Sequence, residues 1–479
     1  MSYVIMERLR SRKRQCGQAI YLGLAAIVFL SLMTYAAFNI SQMTHAKTQT
    51  MNAADAGAYT AATVVARDLN FMAYSNRAMV ANHAVIGQLV SLASLSQMIY
   101  LAADDIATIS GVLKYIPGIG AIFGALESAF KGIKTAIEDF ILPGLETLAN
   151  GQNLLIRGIS KMQLLVHGAT AKDVSEAVEK VIKANDPELE WAVTDIGGLA
   201  TASNIGAGVE TFFGKFSKQV PSTDSAGLGR MREVVNLSRD GFTIERNWLE
   251  IPGFEIPFFF KFNTQYLFGG GTQLSEDNKT WMGVDGFEFI YKTWKCSKTG
   301  CYWKTGYVQM WLTGEVAGSS DADDWAQLSH GDLTSGAHSK AHGNRKFKMQ
   351  NTYSGIQPYQ ELTTLKPGDR SDDSPTYTVL VYKPVQSNST PNATQTFNTT
   401  DANNPFHLEE GRARIYGVAA SQVYFRRPAA NDNDPTAGNS LPNTLYAKGT
   451  YATLFAPYWQ ARLKDLPSEL AAALMAVGD

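Results

Sequence analysis

A chain of 479 residues exceeds what one hydrophobic core usually organises, so two domains are the starting expectation. Its 45% apolar and 18% charged composition is that of a folded protein and excludes disorder over the whole length. A formal net charge of −2 leaves no basic domain or stripe, which argues against a nucleic-acid partner.

The only dense positive cluster is Arg8, Arg10, Arg12, Lys13 and Arg14, in residues 1–18, which read as a cytoplasmic basic tail. It precedes an uncharged run from Gln15 to Ala46 whose apolar centre, Ala19 to Ile40, reads AIYLGLAAIVFLSLMTYAAFNI. Twenty-two helical residues span roughly 33 Å at about 1.5 Å each, enough to cross the hydrocarbon layer. Residues 19–40 are therefore expected to form a single transmembrane helix in the lipid bilayer. Basic residues before the span and little charge after it place the N-terminus in the cytoplasm and the bulk in the periplasm. A cleaved signal is the competing reading, but such apolar regions run only about 7–15 residues. The expected location is the bacterial inner membrane, single-pass.

Residues 41–115 are read as a long periplasmic helical region. No proline occurs from Met1 to Ile116. Met51, Ala58, Val65, Met72, Met79 and Ile86 recur every seven residues, beside Ala54, Ala61, Ala62, Leu69 and Val90. That is the narrow seam of a helix packed lengthwise on another helix. Asp55, Asn76 and His83 fall next to the seam and read as hydrogen-bonded register-setters or exposed flank residues. His83 has no identifiable functional partner in the sequence.

The run CGQAIYLGLAAIVFLSLMTYAAFNISQMTHAKTQTMNAADAGAYTAA resembles the N-terminal segment of TadG-like proteins of Flp (tight-adherence) pilus assembly. The resemblance rests on Gly17-Gln18 at the start of the span and on the string from Met51 to Ala62, where the family has a "QNAADAAALAAA"-type sequence. It covers roughly residues 15–66. Two departures shape what it implies. The Asp-x-Ser-x-Ser metal string of the von Willebrand A-type domain found in some relatives does not occur here. The fifth residue after Gly17 is Leu22, where processed prepilins have Glu. The resemblance thus implies an anchored, pilus-associated protein rather than a polymerising pilin, and transfers no catalytic residue.

Residues 116–247 read as a helical subdomain, helical until about residue 215 and punctuated by Pro117, Pro143 and Pro187 into helices of ordinary length. The segment IPGIGAIFGALESAF, Ile116 to Phe130, is too short to span a bilayer and is expected to be a buried helix. Residues 248–479 read as a mainly antiparallel β domain with long polar loops. Thirteen of the 17 prolines lie after residue 250, and short aromatic and β-branched runs alternate with turns. Expected strands include Phe258 to Phe268, Gly286 to Trp294, Gly306 to Val316 and Thr376 to Val385. Ser387 to Phe406 and Pro428 to Pro442 read as surface loops.

Within this part, Cys296 and Cys301 are expected to close a hairpin by a disulfide, with Trp294 facing Trp303 and Ile290 facing Tyr307. Closing so short a loop is worth about 2 kcal/mol in the chain-entropy model. A zinc site is the rival reading and lacks two ligands close in sequence. His338 and His342, four apart in a Gly/Ser-rich stretch with His330 and Asp332, are the nearest approach to a metal pair, but read as a solvated loop. No G-x-S-x-G, P-loop or H-E-x-x-H string occurs.

The fold class expected is α+β: one N-terminal transmembrane helix, an extended helical region, then a mainly antiparallel β C-terminal domain. The leading function is a non-catalytic accessory component of a Tad/Flp-type pilus or related secretion assembly, without catalytic residues, cofactor or metal. Its partners would be other pilus or secretion-system membrane proteins, with a homo-oligomer through the N-terminal helix as a further expectation. The alternatives are a membrane-displayed adhesin or binding module and, third, a membrane-tethered periplasmic enzyme.

Overall fold

The organising element is one helix, α1 (Cys16–Leu113), of 98 residues. The computed structural model describes residues 16–195, 198–199, 217–246, 250–251, 255–256, 262–318, 349, 352–362, 376–384, 414–425 and 452–466. The absence of proline lets α1 run unbroken until the turn before Pro117. Gly118, at φ 91°, takes the left-handed conformation that reverses the chain. The chain then returns as α2 (Gly120–Ala136), a π turn (Ile137–Ile141) and α3 (Leu142–Asn185). Gln49 Nε2 donates to the Asn185 carbonyl, 3.0 Å away, so α3 ends beside the start of the packed part of α1.

Pro143 does not end the helix, contrary to the sequence expectation. It stands at the start of α3, directly after the π turn. A proline ring crowds the carbonyl four residues back, and a π turn widens the helix at that point, so the chain stays helical. Pro187 does end it: Asp186 before it is extended, at φ −159° and ψ 121°. Asp186 then pairs with Lys383 at 2.7 Å, and Lys383 also reaches Glu188 at 3.0 Å.

The chain is not helical to residue 215. β1 (Glu190–Asp195) follows at once and joins a five-stranded sheet with β2 (Gly198–Leu199), β10 (Thr376–Pro384), β11 (Arg414–Phe425) and β12 (Trp459–Lys464). Its order is β12-β11-β10-β1-β2, antiparallel throughout. The run Trp191-Ala192-Val193-Thr194 has β propensity that a helical reading of the region passed over. β3 (Ser217–Val220) pairs with β9 (Tyr359–Leu362). Two short helices follow β3: α4 (Ser225–Leu237), capped by Asp224, and α5 (Gly241–Ile244), capped by Asp240.

A second sheet holds β4 (Glu250–Ile251), β5 (Glu255–Ile256), β6 (Phe262–Leu274), β7 (Thr280–Ser297) and β8 (Gly300–Gly318). Its order is β4-β6-β7-β8, with β5 also on β6. A bulge near Asp285 breaks the β7–β8 register, and opposite it Trp311 adopts φ 49°. The indole Nε1 of Trp311 there donates to Asp105 of α1 at 2.8 Å, tying the sheet to the helix. The β7–β8 hairpin carries the disulfide Cys296–Cys301, with Trp294 paired to Trp303 and Ile290 to Tyr307. The two indoles meet edge to face, centroids 5.1 Å apart.

The two sheets lie in succession along α1, and the cores are shared between helix and sheet. The first core joins Ala53 to Met72 of α1, Val174, Val178 and Ile182 of α3, and Val379, Val381, Ala419 and Val423 of the first sheet. The second joins Met79 to Tyr100 of α1, Ile137, Leu142 and Ile156, and Leu274 and Trp281 of the second sheet. The architecture is α+β with antiparallel sheets, as the sequence suggested. The Ile116 to Phe130 stretch is not buried: Ile116, Ile119, Ile122 and Leu126 are all exposed, because among the described residues α1 is the main element packed on α2.

Gly417 marks where the first sheet touches α1 most closely. A Cβ there would lie 2.5 Å from the Thr50 carbonyl oxygen and 2.7 Å from its carbon. Backbone cannot rotate away as a side chain can. Gly417→Ala is therefore expected to cost about 1–3 kcal/mol of stability, read as a lowered thermal midpoint of the purified chain. An unchanged midpoint would mean that helix and sheet are loosely docked.

Candidate functional site

The candidate site is the N-terminal half of α1, in two parts with opposite surroundings. From Ala19 to His45 nearly every side chain is exposed, including Ile20, Leu22, Ile27, Phe29, Leu32 and Phe38. The helix is long and apolar enough to cross a membrane, and none of the other described residues covers its most apolar window. Three of its hydroxyls are satisfied within the helix. Ser31 Oγ donates to the Ile27 carbonyl, Thr34 Oγ1 to Leu30 and Thr44 Oγ1 to Ile40, each at 2.8 Å. That internal bonding is what allows Ser and Thr to sit in a medium without water.

At Ala46 the surroundings reverse. Ala46 packs on Ile415, and Lys47 Nζ donates to the Tyr416 carbonyl. Ala53, Ala54, Ala58, Ala61 and Ala62 are wholly buried between α3 and the first sheet. A Cβ on Gly57 would sit 3.1 Å from Ile182 and 3.4 Å from Val379, on both sides at once. The small residues of the Asn-Ala-Ala-Asp string thus let α1 pass closely between two layers. Ser421 of β11 donates to the Ala58 carbonyl at 2.6 Å.

The seven-spaced residues are distributed along this buried length. Ala58, Val65, Met72, Met79 and Ile86 have no exposed surface, and Met51 is half-buried. The neighbours of these residues are α3 and the two sheets. Asn76 is fully engaged: its Nδ2 donates to the carbonyls of Gln360 (2.9 Å) and Leu454 (2.8 Å), and its Oδ1 accepts from Gln163 Nε2 at 2.7 Å. His83 meets the Tyr353 hydroxyl through Nδ1 at 2.9 Å, and burial lowers its pKa to about 3. His330, Asp332, His338, His342 and the two polar loops lie outside the described residues.

Sequence reasoning missed three buried polar groups, each joining residues far apart in the chain. Arg246 holds Asp285 in a two-pronged pair, Nε to Oδ1 at 2.6 Å and Nη2 to Oδ2 at 2.9 Å, both side chains fully buried. Glu315 accepts from the backbone N–H groups of Val316 and Met349 and from Gln97 of α1. Asp68 of α1 pairs with His167 Nδ1 at 2.9 Å, and His167 Nε2 lies 3.2 Å from Ser217 Oγ. The last order is that of a nucleophilic triad, but Ser217 is only 2% exposed. Thr170 also donates to Asp68, so the cluster fastens α1, α3 and β3 together. Among the described residues, no three His, Cys, Asp or Glu side chains are grouped to hold a metal.

No curated protein and no solved structure matches the chain. Residues 17–64, running from the start of the apolar helix through the Asn-Ala-Ala-Asp string, match the family model described as "Putative Flp pilus-assembly TadE/G-like", and it is this N-terminal segment that carries the likeness to pilus-assembly proteins.

Proposed function

We propose that the protein is a non-catalytic, membrane-anchored accessory component of a Tad/Flp-type pilus assembly. The family match at residues 17–64 carries this reading, and the uncovered apolar helix and the buried polar groups support it. The basic residues before the span orient the N-terminus inward, with the sheets outside the cytoplasmic membrane. Since the seven-spaced residues are taken up by the chain's own α3 and sheets, the most apolar exposed surface of α1 open to partner helices is the length within 19–45. There Leu24, Phe29 and Tyr35 stand clear of the body.

Photo-crosslinking amino acids at those three positions, in membranes of pilus-producing cells, test the reading. Crosslinks to other single-span pilus proteins are the expected result. Adducts with lipid alone would reduce the helix to an anchor, and the displayed-adhesin reading would then take its place.

A further inference from the structure

The return arm has two faces, and among the described residues only one is used. Its inner row, Leu142, Ala149 and Ile156, is buried against α1 at seven-residue spacing. About 100° round the helix from that row, Leu148, Leu155 and Met162 also recur every seven residues, and they are 56%, 55% and 50% exposed. Leu126 and Ile133 of α2 and Phe140 of the π turn extend the outer row, again seven apart. The step from Phe140 to Leu148 is eight, and the π turn (Ile137–Ile141) supplies the additional residue. The bulge thus keeps one continuous apolar row in line across a proline.

Between the large residues lie Gly144, Gly151 and Gly158, equally seven apart. A Cβ on any of them would meet no atom within 4 Å. Glycine inside a helix weakens it, and no contact among the described residues accounts for these three. Alternating large and absent side chains suit a helix that approaches closely, with its knobs entering the glycine gaps. Antiparallel neighbours set large against small, whereas a parallel copy of the same row sets leucine against leucine and gap against gap.

This direction identifies the occupant, given the anchored reading above. Copies held in one membrane by α1 all point the same way, and α3 runs back alongside α1. The helix of a neighbouring copy that runs antiparallel to α3 is therefore its α1. The levels are fixed by the bonds from Gln163 to Ser75 and Asn76 and from Tyr100 to Glu138. They bring Leu155 level with His83 and Gly144 level with Ser94, about two residues from the exposed Ala81 and Leu92. The six exposed side chains of the outer row, at roughly 80 Å² apiece, supply about 480 Å² of the ~800 Å² per partner of a standard interface.

We propose that the outer face of α2 and α3 docks on α1 of a second copy in the same membrane, head to tail around an axis normal to the bilayer. The contact is heterologous, so it builds rings or rows rather than closed dimers.

The test uses the full-length chain in its own membranes, with Cys16→Ser, Leu155→Cys and Ala81→Cys and a short bis-maleimide. The double variant should give a ladder of dimers and larger species. The two single variants co-expressed should stop at the dimer, and either alone should remain monomeric. Adding Gly151→Leu and Gly158→Leu should reduce the ladder at least tenfold while the melting temperature does not fall. A dimer from Leu155→Cys alone, adducts to a different protein, or no ladder would overturn the proposal. Carbonate extraction of the same membranes separates this from failure of the anchor: chains that wash off refute the anchor, whereas chains that stay but do not crosslink refute the interface.

Discussion

Replacing Asp285 with alanine should cost about 3–5 kcal/mol of stability, the largest single effect expected outside the hydrophobic cores. The substitution would leave the Arg246 guanidinium charged, fully buried and without its carboxylate. Its remaining contacts, the Phe242 and Val284 carbonyls and the Thr272 hydroxyl, accept hydrogen bonds but carry no charge. The site is built closely around the pair. A Cβ on Gly270 would fall 2.0 Å from Asp285 Oδ1, so β6 must carry glycine there. Thr272 in turn accepts from Ser91 of α1 at 2.8 Å, so the pair also secures the second sheet to the helix. The double variant Arg246→Met/Asp285→Leu is expected to lose less than Asp285→Ala, since it removes both charges at similar volume. Thermal midpoints followed by circular dichroism would compare the two. A double variant worse than Asp285→Ala would mean that the pair contributes more attraction than its desolvation costs.

Stability should also fall as the pH is lowered from about 6.5, by about 1.4 kcal/mol per unit from His83 alone. Burial lowers the pKa of His83 to about 3 in the folded chain, against an ordinary imidazole value of 6.5. The unfolded chain therefore takes up a proton first as the pH falls. The stability is fully present above 6.5 and is lost progressively toward 3. At pH 5 the loss reaches roughly 2 kcal/mol. Asp186, Asp240 and Asp277 are also held low by their hydrogen bonds, against the upward push of burial. Their losses begin only near the carboxylate range, below about 4. The window from 6.5 to 4.5 thus belongs mainly to His83. His83→Gln should be less stable than the parent at pH 7, since Tyr353 loses its imidazole partner, but nearly flat across that window. Equal slopes for the two proteins would show that His83 takes its proton without unfolding the site.

Elements whose cause is local were legible from the chain. The uncharged run at the N-terminus, the lack of proline up to Ile116 and the close cysteine pair each act over a few residues, so α1 and the register of the β7–β8 hairpin could be read directly. The Asn-Ala-Ala-Asp string likewise announced close packing by its lack of bulk. What a periodic pattern does not contain is the identity of the surface that covers it. The row from Met51 to Ile86 has the spacing of a helix pair. In the structure α1 is enclosed by α3 on one side and by two sheets on the other, because strands from residues 262–318 and from residue 376 onward return to it. The outer row of α3 has the same spacing and remains exposed. Period alone could not separate the two cases.

The sequence alone determined the long apolar helix, its TadE/G-like continuation and the change to strand-forming composition, since each follows from side-chain bulk, charge and backbone freedom in one stretch of chain. Only the tertiary structure decided that the Ile116 to Phe130 turn stays exposed, that Pro143 is carried by a π turn, and that Arg246 finds Asp285 and His83 finds Tyr353. Those outcomes depend on which distant segments share a core, and burial and charge pairing act through space without leaving a local pattern.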